Sequence, residues 1–138
     1  MEIHQSVAEM AEAYAEQAVR IAAGLNCLLD YSEESLMRME TIFDQPSKQQ
    51  SEPDISEVCK IWGSYLGEVV RRRFGGDWSI ETYPGKSFAT LTLTVNGSRL
   101  FPSMKVHRRL TQGSDESVWR FYQMVRMRLE TAPNAPVQ

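Results

Sequence analysis

The run Thr-Leu-Thr-Leu-Thr-Val-Asn-Gly at residues 90–97 constrains the fold of this chain more than any other feature. Its apolar residues alternate with threonines, and a period of two is typical of a half-buried β-strand. Asn96-Gly97 follows directly, and this pair is the preferred two-residue turn of an antiparallel hairpin. The sequence therefore predicts a three-stranded antiparallel meander over residues 78–83, 88–95 and 98–101.

Helical periodicity flanks the meander on both sides. Three amphipathic segments precede it, with apolar residues at three- and four-residue spacing. The segment 103–112 has Pro102 before it and Gly113 after it, which predicts a short helix, although its apolar residues would also suit a strand. Ser114 is expected to cap a final helix. The predicted fold class is α+β: three N-terminal helices, a three-stranded antiparallel meander, then a short helix and a C-terminal helix packed on the sheet.

The length of 138 residues is typical of one domain. We expect residues 1–130 to form it, with a flexible loop at 45–53 and a disordered tail at 131–138. No apolar run approaches a membrane span of about 20 residues, and the acidic N-terminus is not a secretory signal. Cys27 and Cys59 both lie in apolar helical patterns, which favours free thiols, and one disulfide between helices stays open as the alternative.

The first helix carries an apolar stripe with alternating steps of four and three residues. The stripe consists of Val7, Ala11, Tyr14, Ala18, Ile21, Leu25 and Leu28. Such spacing suits packing within the chain or a coiled-coil seam between two copies. The small and polar-tipped members of the stripe favour internal packing, and a dimer through this helix stays open.

The third helix is apolar on more than one side, which predicts that it is buried by several neighbours. It also contains Gly63 and Gly67, which fall on one face. Glycine costs roughly 1 kcal/mol against alanine inside a helix, and close approach of another backbone is the usual compensation. We therefore expect another element to lie very close to this face.

Three consecutive arginines, Arg71–Arg73, end the third helix, and two glycines and Trp78 follow them. Cations suit the negative end of a helix dipole, and glycine suits the left-handed conformation that ends a helix. Glu68 stands four residues before Arg72, which is the favourable order for an ion pair. Helix termination explains one or two of the arginines, so the surplus is a functional clue.

The charges of the chain are unevenly distributed. Residues 1–57 hold 12 acidic and 3 basic residues, a net charge of −9, whereas residues 58–138 hold 6 acidic and 12 basic residues, a net charge of +6. One interpretation is that the two halves neutralise each other when they pack. The other is a basic face that receives an acidic protein partner.

No catalytic, metal or cofactor site is predicted. Cys27 and Cys59 are far apart in sequence, and His4 and His107 have no paired neighbour, whereas zinc and iron sites need several close ligands. The chain contains no G-x-S-x-G nucleophile motif and no glycine-rich loop before a helix that would hold a phosphate. The isoelectric point near 5.4 argues against general nucleic-acid binding.

Two basic clusters are the candidate binding patch, one at the end of the third helix and one in the segment after Pro102. They consist of Arg71, Arg72, Arg73, Lys105, Arg108 and Arg109. Tyr65, Glu68, Trp78 and His107 lie near these clusters in the sequence. If these side chains met in one cleft, they would form a small-molecule pocket near the end of the third helix.

Four segments in order resemble a family of bacterial domains of unknown function: DYSEESLMRME, GSYLGEVVRRRFGGDW, LFPSMKVHRRL and SVWRFYQMV. That family shows a D-Y-S-x-x-S-L opening, a Y-L-G-E-V helix ending in G-G-x-W, and an F-P-x-x-K-V-x-x-R-L segment. The resemblance covers residues 30 to about 129. It implies an α+β domain of bacterial cytoplasmic origin, and it implies no reaction.

Two functional hypotheses follow. The first is a non-enzymatic binding or adaptor domain, for example an immunity or regulatory partner of an acidic protein. The alternative is a small-molecule-binding protein or an enzyme with a pocket near the end of the third helix. The two are distinguished by whether the polar side chains of that region converge on one cleft or point in separate directions.

Overall fold

The computed structural model describes residues 6–45 and 55–131. These residues form α1 (Val7–Gly24), α2 (Glu34–Phe43), α3 (Ile55–Phe74), β1 (Asp77–Thr82), β2 (Ala89–Val95), β3 (Ser98–Leu100), α4 (Pro102–Gln112) and α5 (Val118–Thr131). The α+β class and the element order are confirmed. The loop predicted at 45–53 lies outside the described residues except for Gln45, and so does the tail predicted at 131–138 except for Thr131, which ends α5.

The sheet is the predicted antiparallel meander, in the order β1-β2-β3. Trp78 pairs with Leu93 across β1 and β2, and Val95 pairs with Ser98 across β2 and β3. Asn96 and Gly97 have φ angles of 50° and 84°, the left-handed conformation that a two-residue hairpin turn requires. The strand ends differ from the predicted ones by one residue. The apolar side chains of β2 are buried, as the alternation indicates.

The central element is α3, whose residues Ile61–Val70 are all buried. It packs against α1 on one side and α4 on another. A Cβ atom at Gly63 would lie 2.6 Å from the Cα of Ser103 in α4, and one at Gly67 would overlap the Trp78 ring. The predicted close approach at these glycines is therefore confirmed. The buried Ser103 hydroxyl has no hydrogen-bond partner among the described residues. Serine therefore suits this contact with Gly63 through its small size and not through a hydrogen bond.

The apolar stripe predicted for α1 is wrong in its C-terminal half. Ile21, Leu25 and Leu28 are 42%, 48% and 66% exposed. The buried face is instead made of alanines, namely Ala11, Ala15, Ala18 and Ala22. This face has the same steps of four and three residues but includes Ala15 and Ala22 in place of Tyr14 and Ile21, and Leu25 and Leu28 lie beyond the end of α1 at Gly24. A dimer through this helix remains a prediction.

Two expectations for the C-terminal third have different outcomes. Residues 103–112 are helical within α4, which resolves the choice between helix and strand. Ser114 does not cap α5, because residues 114–116 form a 3₁₀ turn. Ser117 is the cap, since its Oγ accepts a hydrogen bond of 3.0 Å from the Arg120 backbone N–H. Glu40 of α2 fixes this start by accepting from the Ser117 hydroxyl at 2.8 Å.

Candidate functional site

Glu68 lies at the centre of the stretch that the sequence singled out. Its side chain is fully buried on α3. Arg71 donates to both carboxylate oxygens, through Nε at 2.6 Å and Nη2 at 2.9 Å. Arg72 donates at 3.2 Å, which confirms the predicted ion pair. Trp78 Nε1 of β1 donates at 2.8 Å, so one carboxylate joins the end of α3 to the start of the sheet.

The hydrogen bonds at Glu68 determine its charge. Burial acts to raise the pKa of this carboxyl, but the donors Arg71 and Trp78 outweigh burial and hold its pKa below the ordinary value. Glu68 is therefore ionised at neutral pH. Because all its close donors come from the chain itself, the carboxylate is a structural anchor and not a free acid or base.

Two of the motif segments meet beside this anchor. The Tyr65 hydroxyl of α3 accepts a hydrogen bond of 2.7 Å from the Tyr31 backbone N–H and shares one of 2.6 Å with the Ser35 hydroxyl. The Arg72 guanidinium lies 3.6 Å from the centre of the Tyr31 ring. Such a cation–π contact lets a charged group cover an aromatic face. These contacts hold the segment before α2 against the end of α3.

The second basic cluster is neutralised in the same way. Arg109 of α4 is buried, and its Nε donates to Glu40 at 2.8 Å while its Nη2 contacts Asp44. Its guanidinium also lies 5.7 Å from the centre of the Phe43 ring. Because Glu40 and Asp44 belong to the acidic first half, this pair supports the interpretation that the two halves neutralise each other.

Lys105 and Arg108 share one acidic partner. Lys105 Nζ donates to Glu116 Oε1 at 2.8 Å, and Arg108 Nε donates to the same oxygen at 3.3 Å. The lysine is the main cause of the lowered pKa of the Glu116 carboxyl. Arg108 also donates to the Tyr83 hydroxyl at 3.1 Å. Lys105 and Arg108 are thus both paired within the chain.

The six basic residues form two groups at opposite ends of α2. Arg73 contacts Glu33, which directly precedes α2, and Glu130 of α5. Arg109 contacts Asp44, which directly follows α2. At 1.5 Å per helical residue, the two carboxylates are about 16 Å apart along the helix. Each of the six bases has a carboxylate within 4 Å.

The remaining site residues do not meet in one cleft. Tyr65 and Glu68 are fully buried, and Trp78 is buried against Gly67 with its N–H bound to Glu68. His107 lies apart from them and lines a pocket at the opposite end of α3. Tyr65, Glu68 and Trp78 therefore lie together in the core around the anchor, and His107 lies apart from them.

An open groove of about 660 Å³ lies between α5 and β3. We call it the α5–β3 groove, and its apolar lining consists of Val95, Leu100, Phe121, Met124, Val125 and Leu129. Arg99 of β3 and Arg128 of α5 also line it, whereas no carboxylate is among its described lining residues. Within residues 6–45 and 55–131, neither arginine has a carboxylate within 4 Å of its side chain.

Sequence reasoning missed this groove. Arg99 was part of a short strand, and Arg128 is an isolated base in an amphipathic helix. The available signal was Met124, an apolar residue that lies off the buried face of α5 and that the structure leaves 65% exposed. An exposed methionine next to an unpaired arginine is the pattern that could have drawn attention to α5.

Other features limit the kinds of site in the described part of the chain. No three His, Cys, Asp or Glu side chains there lie close enough together to hold a metal ion. No helix of the described residues is long and apolar enough to cross a membrane. Comparison with family models, curated proteins and solved structures finds no match for the chain.

Proposed function

We propose that this protein is a non-enzymatic binding or adaptor domain whose α5–β3 groove binds an acidic, apolar segment of a partner protein. One observation carries the proposal. The bases that the sequence singled out are all paired within the chain, whereas Arg99 and Arg128 have no carboxylate partner among residues 6–45 and 55–131 and flank an open apolar groove.

The charge of the groove supports an acidic occupant. Two guanidinium groups and no described carboxylate give the groove a positive potential. Such a surface attracts acidic partners and repels basic ones, and it acts on association more than on stability. An occupant with carboxylates at both edges would meet one arginine on the strand side and one on the helix side.

The apolar lining supports a protein segment with buried anchors. The partly buried Phe121 and the exposed Met124 both line the groove. Aromatic residues and methionine are enriched at the centres of protein interfaces, and methionine adapts its shape to different partners. We therefore expect the partner to insert one or two apolar side chains between its acidic residues.

The edge strand offers backbone hydrogen bonds as well. Ser98 and Leu100 are paired with Val95 and Leu93 of β2, next to a two-residue turn. In this antiparallel register the backbone N–H and C=O of Arg99 point away from β2, toward the unpaired edge. An extended partner segment can satisfy these groups while its acidic side chains contact the Arg99 guanidinium.

The motif resemblance implies a bacterial cytoplasmic setting, and an immunity or regulatory partner is one example of a binding domain that such a groove would suit. The alternative of a pocket near the end of α3 has less support, because Tyr65 and Glu68 are buried and their polar atoms are engaged within the chain.

A random peptide library selected on the purified protein tests the proposal. We expect the selected peptides to combine Asp or Glu with large apolar residues. The double variant Arg99→Glu/Arg128→Glu is expected to weaken their binding, measured by fluorescence anisotropy, by about 100-fold, because two favourable ion pairs become repulsive. Binding to the unchanged protein should also weaken as salt is raised.

Arg120→Glu is the matched control, since it reverses an exposed arginine of α5 that does not line the groove. It should leave binding unchanged. Selected peptides without acidic residues, or equal binding by the double variant and the control, would contradict the proposal. Phe121→Ala should weaken binding independently of salt, which separates the apolar contribution from the charged one.

A further inference from the structure

A second open pocket lies at the start of α3, at the opposite end of this central helix from the Glu68 anchor. Its volume is about 490 Å³, within the usual range of small-molecule sites of about 300–1,000 Å³. It is formed by the first turns of α3, the start of β2 and the middle of α4. We call it the α3–α4 pocket, and its apolar lining consists of Ile55, Cys59, Phe88, Ala89, Leu91 and Met104.

The charged groups of this pocket all have one sign. They are Lys60 and Lys86; the imidazole of His107 also lines the pocket, and no carboxylate is among its described lining residues. Lys60 has Glu57 at 3.9 Å, a long ion pair between two half-exposed side chains. Lys86 has no carboxylate within 4 Å in the part of the chain that the structure describes. The pocket thus combines an apolar floor with the positive charges of Lys60 and Lys86.

We propose that the α3–α4 pocket binds a small monocarboxylate with an apolar body, such as a medium-chain fatty acid. The acyl chain lies against Cys59 and Leu91, which are buried at the pocket floor, and the carboxylate faces Lys86 and His107. Burial of methylene groups contributes about 0.8 kcal/mol each, which favours an alkyl body over a compact anion such as phosphate. This site is independent of the α5–β3 groove.

The two cysteines allow ligand binding in the pocket to be followed by the rate of thiol modification. Both are free thiols, Cys59 buried in the pocket lining and Cys27 half-buried at the end of α1, outside the pocket. Burial raises the pKa of the Cys59 thiol to about 11, so little thiolate is present at neutral pH and its modification is slow. A ligand over Cys59 slows this modification further, whereas Cys27 keeps its rate.

Modification of both thiols by N-ethylmaleimide, followed by peptide mass spectrometry, tests the proposal. Decanoate below its micelle concentration is the probe, and decylamine, which has the same alkyl body with a cationic head, is its control. We expect decanoate to slow modification of Cys59 and not of Cys27, and decylamine to slow neither. Isothermal titration calorimetry with decanoate measures the affinity directly.

Lys86→Glu is the variant that tests the charge, because Lys86 is exposed and its loss leaves the core intact. It is expected to weaken decanoate binding about five- to tenfold, the effect of losing one exposed ion pair and gaining a repulsion. Arg120→Glu is again the control. Equal protection by decanoate and decylamine, no heat of binding, or unchanged affinity in Lys86→Glu would each overturn the proposal.

The result also separates this proposal from the proposed function. Arg99→Glu/Arg128→Glu changes the α5–β3 groove and leaves the α3–α4 pocket as it is. Decanoate binding that survives this double variant but is lost in Lys86→Glu supports the second site whatever the peptide selection finds. Decanoate binding that is lost in the double variant would place the ligand in the groove and overturn the α3–α4 assignment.

Discussion

The Glu68 anchor and the α5–β3 groove contain the same kind of side chain in opposite states. Arg71 and Arg72 share one buried carboxylate, while Arg99 and Arg128 flank apolar surface and have no acidic partner in the described parts of the chain. A guanidinium whose donors are used inside the chain stabilises the fold, whereas one without a partner is available to another molecule. Conspicuous arginines in a sequence are therefore poor markers of a binding site until their partners are known.

The largest expected effect comes from Glu68→Gln. The substitution keeps the shape of the side chain but removes the charge and replaces one of the two accepting oxygens with an NH2 donor. Either Trp78 Nε1 and Arg71 Nε, or Arg71 Nη2 and Arg72 Nε, then face a donor and not an acceptor. Arg71 and Arg72 are about one-third exposed, and water can solvate them, which limits the loss. We expect the free energy of unfolding to fall by about 2–4 kcal/mol, measured by urea denaturation.

Asp77→Asn is the matched control for this prediction. It removes one carboxylate charge at an exposed position next to Trp78, with no ion pair in the described residues. Its effect should lie within about 0.5 kcal/mol of zero. Equal losses for the two variants would mean that the anchor contributes no more than an ordinary surface charge.

Gly63→Ala is expected to have the next largest effect. The new methyl group would lie 2.6 Å from the Ser103 Cα, so α3 and α4 must move apart. Overpacking of this kind costs typically about 1–3 kcal/mol. Gly24→Ala, where no atom lies within 4 Å of the added carbon, should instead be neutral or stabilising by up to about 1 kcal/mol. Thermal and urea denaturation of the two variants provide the comparison.

We expect low pH to reduce the contribution of the Glu68 anchor to the free energy of unfolding. The pKa of Glu68 is lower in the folded protein than its ordinary value of 4.5, so the unfolded chain takes up a proton first as the pH falls. The stabilisation is complete above about pH 4.5 and is lost as the pH falls through the folded pKa. Urea titrations should show the gap between the unchanged protein and Glu68→Gln narrowing below pH 4.5; a gap constant from pH 7 to 3 would contradict this.

The smallest expected effect on stability belongs to the groove. Arg99→Ala and Arg128→Ala remove exposed side chains that have no ion pair with any described residue, so each should change the free energy of unfolding by less than about 0.5 kcal/mol. A loss above about 1 kcal/mol for either variant would show that its guanidinium is engaged within the folded chain. In that case the contrast with the Glu68 anchor would disappear.

The sequence predicted the features that depend on local period. Alternation before Asn96-Gly97 gave the hairpin and its register, and the four-residue spacing gave the Glu68–Arg72 pair. The bond from Trp78 to Glu68 was not predicted, and neither was the pair between Arg109 and Glu40, 69 residues away. Such contacts join different elements, and no periodic pattern specifies which elements become neighbours.

The errors in the α1 stripe and the omission of the α5–β3 groove have the same cause, because both depend on which elements become neighbours. The α1 stripe was predicted from its steps of four and three residues, which fit the alanine face equally well; the close α1–α3 contact selects alanine, and the larger Ile21 remains exposed. The α5–β3 groove was invisible because Arg99 and Arg128 come from different elements and meet only in the folded chain. Its residues carry no motif of their own.

The glycines of α3 have a consequence for the order of events during synthesis. Gly63 and Gly67 weaken the isolated helix by roughly 1 kcal/mol each against alanine. The groups that pack on them, Ser103 and Trp78, both come later in the chain. A nascent chain that has emerged as far as α3 but not α4 therefore holds a weakened helix that α1 can cover on one side, while the face that packs on α4 and Trp78 is uncovered. The nascent protein should need chaperone protection until α4 emerges, and it should fold in one step thereafter.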